Sequence, residues 1–169
     1  MHRATARLIA NLALVPLALV GCASDPPLDG TYAGESVIRL PSPPLPDVDL
    51  TIDSVIEFDS ATSRFTLDMD LEAAGLTDAM QVRGGYVTAN GMLTLRPDTI
   101  EPAEGMGSER SVGADGSQCV SLGGFALTVV CIPESTSSLT RSGSGISFSL
   151  ESRIADVPRT VPMTLTLVP

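Results

Sequence analysis

Val48-Asp49-Leu50-Thr51-Ile52-Asp53-Ser54-Val55-Ile56-Glu57-Phe58-Asp59 decides the fold class together with the segment that follows it, Arg64-Phe65-Thr66-Leu67-Asp68-Met69-Asp70-Leu71-Glu72. Val48, Leu50, Ile52, Ile56 and Phe58 fall on one face of an extended chain. Asp49, Asp53, Glu57 and Asp59 fall on the other. Side chains alternate in a strand, so this is a sheet buried on one side. After Ser60-Ala61-Thr62-Ser63 the alternation resumes, with Phe65, Leu67, Met69 and Leu71 inward. Pairing Phe58 with Phe65 keeps both apolar sets on one face, because a one-residue slip would invert every side chain. It also sets Asp59 opposite Arg64, a favourable cross-strand pair.

The same period extends in both directions. Asn90-Gly91 is a strong two-residue hairpin signal and pairs Thr88 with Leu93 and Tyr86 with Leu95 across a hairpin from Met80 to Pro97. Gly84-Gly85 interrupts the first of these strands, as at a bulge or sharp bend. Residues 98 to 116 lack periodicity and are expected to form a long surface loop. Strands are expected again at 117 to 122 and 125 to 132. A last pair has Ile146, Phe148 and Leu150 facing Val161, Met163, Leu165 and Leu167. The best helical candidate, Glu72-Ala73-Ala74, ends at Gly75 after one turn at most. The expectation is an all-β domain, residues 29 to 169, of about eight to ten antiparallel strands in a meander.

The N-terminal residues carry a different pattern. Arg3 and Arg7 precede an apolar run, Leu8 to Val20, that ends in Leu19-Val20-Gly21-Cys22. The run is too short to span a bilayer, and Pro16 interrupts it. A charged start, a short apolar core and a small residue before the cleavage point make a secretory signal. The ending resembles the bacterial lipoprotein lipobox. The resemblance implies cleavage after residue 21 and a diacylglyceryl group on Cys22, with residues 22 to 28 as a short tether. Two or three acyl chains anchor a protein durably. With Ala23 after Cys22, the resemblance implies the outer membrane in a diderm cell, or the outer face of the cytoplasmic membrane in a monoderm one.

Loss of the signal sharpens the composition. It removes Arg3, Arg7 and the single histidine, His2, leaving eight arginines against 20 acids and a net charge of −12. The chain has no lysine. Nucleic acid is therefore a poor partner, since phosphate binding needs clustered cations. Catalytic sets built on His or Lys are absent, so the expected function is not enzymatic. Cys119 and Cys131 are left as a disulfide pair in an oxidising compartment. A two-residue turn at Gly123-Gly124 would send the two cysteines to opposite faces, whereas a five-residue loop, 123 to 127, would set them opposite. Both registers are open on sequence alone. In the second, Phe125 sits at the loop tip.

The segments Leu28-Asp29-Gly30-Thr31-Tyr32, Phe65-Thr66-Leu67, Gly85-Tyr86-Val87-Thr88 and Leu93-Thr94-Leu95 together resemble small bacterial lipoproteins with lipocalin-like barrels. The resemblance favours a barrel over a sandwich and implies a carrier of a small apolar ligand. It covers residues 28 to 97 and departs from true lipocalins in lacking a tryptophan and in the proline-rich stretch 41 to 46.

Three expectations about sites follow. Phe58, Phe65, Tyr86 and Phe148 are the inward aromatics that would line a ligand calyx, or equally fill a core. Asp49, Asp53, Asp68, Asp70 and Glu72 form an acidic strand face that would suit Ca²⁺, a hard ion taking six to eight oxygens, or would simply be solvated. Cys22 is the lipidation site. The leading expectation is a non-enzymatic, lipid-anchored envelope module for binding or interaction. The alternatives are a carrier of an apolar ligand and an acidic, Ca²⁺-stabilised surface domain.

Overall fold

A computed structural model describes residues 25–41, 47–102, 109–125 and 128–169. The lipobox, Cys22 and the start of the tether lie outside the described residues. Twelve strands form one antiparallel sheet: β1 (Gly30–Leu40), β2 (Val48–Asp59), β3 (Arg64–Ala73), β4 (Leu76–Ala89), β5 (Met92–Pro102), β6 (Arg110–Val112), β7 (Gln118–Leu122), β8 (Thr128–Ile132), β9 (Ser135–Ser138), β10 (Thr140–Ser142), β11 (Gly145–Ile154) and β12 (Val157–Leu167). The order is β6-β7-β8-β11-β12-β1-β2-β3-β4-β5-β9, with β10 beside β11. The sheet curls into a half-barrel. Its ends approach each other, β5 against β7 and β9 against β11, where Ser149 N donates to Ser137 Oγ at 3.1 Å.

The decisive hairpin has the expected register. Phe58 opposes Phe65 and Asp59 opposes Arg64. Asp59 closes the turn with its own carboxylate, accepting from Ala61 N at 2.9 Å and Thr62 Oγ1 at 2.7 Å. Those bonds hold its pKa below the ordinary 3.8, with the Thr62 hydroxyl contributing most. Asn90 and Gly91 take φ of 55° and 71°, the left-handed pair of a type I′ turn whose twist matches that of the strands. The ladder shifts register at Arg83/Gly84. A Cβ on Gly84 would lie 2.1 Å from the Arg96 carbonyl oxygen, so the strand bends where only glycine fits.

Several boundaries differ from the sequence reading. Glu72-Ala73-Ala74 is not helical. Ala74 and Gly75, at φ of 52° and 78°, form a tight turn that joins β3 to β4, so β4 starts at Leu76 and not at Met80. Propensity for a helical turn loses here to two strands already aligned by their buried faces. β5 runs on to Pro102, and β6 lies within the stretch expected to be loop. The described residues form twelve strands and not eight to ten, because Ser- and Thr-rich β9 and β10 carry little alternation. Leu167, expected to be inward, is exposed at the end of β12.

Residues 25–28, expected to be free tether, are docked on the domain. Gly91 N donates to Asp25 Oδ2, Arg141 Nη2 donates to the Pro26 carbonyl, and Leu28 is fully buried. Burial of Leu28 and the bond donated to its carbonyl by the Tyr86 hydroxyl explain the docking.

Candidate functional site

The interior has two unlike ends. At the end where the chain enters, Leu28, Tyr32, Phe58, Phe65 and Tyr86 pack together. The Phe58 and Tyr86 rings meet edge to face at 4.9 Å and 74°, and Tyr32 meets Phe58 at 6.1 Å. Burial, and secondarily Asp29 and Asp59, raise the Tyr86 pKa above 10. Phe148 lies opposite Met163 on the β11–β12 pair and is buried. Phe58, Phe65, Tyr86 and Phe148, expected to line a ligand calyx, are therefore packed core, and none lines the cavity at the opposite end.

That cavity, about 90 Å³, lies at the other end. Its walls come from the strand termini there, including Leu40 at the end of β1, Leu71 near the end of β3, Leu122 at the end of β7 and Ile154 at the end of β11. Phe125 and Val130 complete one side, and Met69 and Met80 reach in from β3 and β4. Among the described residues, only Thr128 and Ser152 bring hydroxyls to the wall. Both are engaged: Thr128 Oγ1 donates to the Phe125 carbonyl at 2.6 Å, and Ser152 Oγ to the Arg159 carbonyl at 3.5 Å. Among the described residues the wall thus offers no uncommitted hydroxyl donor, and its chemistry is apolar.

The β7–β8 loop beside it resolves the register question. Leu122 pairs with Thr128, giving the five-residue loop, and Cys119 faces Cys131 directly. The two form a disulfide with Cα atoms 4.0 Å apart. Phe125 is half-buried against the core and not an exposed tip. Asp78 causes this placement. Its buried carboxylate faces inward at the start of β4 and accepts from Gly124 N at 2.8 Å. A Cβ at Gly124 would stand 2.3 Å from the Thr77 carbonyl oxygen, so the glycine lets the loop close down on β4. Local pattern alone does not single out Asp78; an acid at an inward position of the alternation is the signal the sequence carries.

The acidic residues lie on the outer face. Glu35, Asp53 and Asp70 stand in one row across β1, β2 and β3, and Asp68 and Glu72 flank it on β3. Asp49 is drawn aside by Arg39, with Nε to Oδ1 at 3.3 Å, and Asp68 accepts from Gln81 Nε2 at 2.6 Å. Among the described residues, no three His, Cys, Asp or Glu side chains converge as a metal site would require. Flat strands splay carboxylates, whereas a Ca²⁺ site needs oxygens converging at about 2.3–2.6 Å.

No protein-family model matches the chain, and neither a curated protein nor a solved structure matches it.

Proposed function

We propose that the protein is a lipid-anchored, non-enzymatic binding module of the cell envelope that carries a small apolar ligand. In this reading Cys22 bears the lipid, at the outer membrane of a diderm cell or the outer face of a monoderm membrane. The observation that carries the binding role is the aliphatic cavity with its two hydroxyls already engaged. Ligand sites are concave and mostly apolar, with orientation set by few polar groups. The signal-like residues 1 to 21 and the lipobox support the anchor, and the docking of Asp25 and Leu28 keeps the domain close to it.

The absence of His and Lys from the chain beyond residue 21 supports a non-enzymatic role, since the usual general bases and amine nucleophiles are missing. Metabolic labelling with palmitate tests the anchor. The protein takes up label and sediments with membranes, and Cys22→Ser abolishes both. Equal labelling and sedimentation of the Cys22→Ser variant would refute it.

A further inference from the structure

We infer that the cavity takes the terminus of a single unbranched alkyl chain, with the rest of the ligand outside the fold. The inference rests on the reading of the domain as a binding module and names the ligand class and the end at which it binds. Size excludes larger ligands. An engineered apolar cavity of about 150 Å³ holds benzene, and sites for drug-sized ligands run to roughly 300–1,000 Å³. At about 90 Å³, the cavity has room for about four carbons by the same scale.

Chemistry disfavours a polar terminus, because among the described residues the two wall hydroxyls already donate to backbone carbonyls and the rest of the wall is apolar. Met69 and Met80 suit a chain of variable conformation, since thioether side chains adapt to irregular shapes. Geometry gives the chain a path out. The same end of the half-barrel carries Leu76 and Val157, both exposed, beside the turns that bound it. It also lies the length of β1, 11 residues or roughly 35 Å, from the entry of the chain at Leu28. The ligand therefore enters at the end away from the anchor.

The described fold closes its own core from Leu28 onward, so the chain from residue 23 is suitable material. Binding of n-alkanols from butanol to decanol is followed through the methyl NMR signals of Met69 and Met80. Kd falls about fourfold per added methylene and levels off near hexanol, when about four carbons fill the cavity and the remainder span its mouth, with both methyl signals shifting. Adamantanol, too bulky to enter, leaves them unmoved. Val130→Phe fills the space and removes the increments. If that variant does not fold, the alkanol series and the adamantanol control on the unaltered chain decide alone.

Phosphatidylcholine vesicles separate two sources of the same chemistry. Shifts of Met69 and Met80 on vesicles assign the chain to membrane lipid, and shifts with alkanols alone assign it to free alkyl compounds. Either supports the site. Unmoved methionine signals throughout the alkanol series, or shifts with adamantanol, would overturn it while leaving palmitate labelling of Cys22, and so the anchored module, standing.

Discussion

The Asp78 carboxylate accepts a hydrogen bond from the Gly124 backbone at 2.8 Å, joining two residues 46 positions apart and fastening the β7–β8 loop to the start of β4. This bond places Phe125 against the core at the cavity wall. Charged acceptors on backbone donors are worth about 1.5–3 kcal/mol. Asp78→Ala is therefore expected to lower stability by about 2 kcal/mol in urea unfolding. Gly124→Ala should cost at least as much, because its Cβ meets the Thr77 carbonyl and not a flexible side chain. Asp78→Asn, which keeps an acceptor, should recover most of the loss.

How far the sequence could be read depends on which signals are local. Alternation was enough to place β2, β3 and their register, because one face is buried and the other acidic along the whole hairpin. Asn90-Gly91 announced its turn. Ala74-Gly75 did not, since alanine seldom adopts positive φ and the alignment of β3 with β4 imposes it. The choice at Gly123-Gly124 rests on a bond from Asp78, a contact that local pattern cannot carry. The cavity was legible only as a class of possibility. Inward aromatics and inward aliphatics look alike in sequence, and strand topology decides which set lines a space.

Ala74 and Ala155 take left-handed φ of 52° and 50°, a conformation that costs an alanine roughly 1 kcal/mol. Ala74→Gly and Ala155→Asn should each raise stability by about 0.5–1 kcal/mol. Thermal unfolding checks this, with the two gains adding because the turns share no partner.

The Cys119–Cys131 bridge spans a separation of 12 residues, for which chain entropy gives about 3 kcal/mol. Reduction should shift the urea midpoint down by the equivalent of about 2–4 kcal/mol. Thiol labelling of the denatured, unreduced chain from residue 23 should find no free thiol.

Glu35, Asp53 and Asp70 repel one another across three strands. Asp53→Asn should stabilise by a few tenths of a kcal/mol, and NaCl should raise the wild-type melting temperature more than that of the variant. CaCl₂ and NaCl at equal ionic strength should act alike. A larger effect of calcium, lost in Asp53→Asn, would instead favour an ion on this face.

Acid and base should act through different residues. Ser117 donates from both its hydroxyl and its backbone to Asp115, which lowers the Asp115 pKa below 3.8, as Thr62 does for Asp59. A depressed folded pKa adds stability that is present above the unfolded value and lost as pH falls through the folded one. Both contributions should thus disappear below about pH 4. Tyr86 is raised, so its contribution is complete below the unfolded value near 10 and is lost as pH rises through the folded one. Carboxyl NMR titration of Ser117→Ala should show the Asp115 pKa moving up.

Native mass spectrometry of the protein extracted from its own membranes tests the central claim, an anchored carrier of an alkyl ligand, most directly. The expected spectrum shows a chain beginning at Cys22 with a covalent lipid mass, and a second, apolar mass that leaves on gentle activation. A lipid-bearing chain that never shows the second mass, even with hexanol supplied, would contradict it.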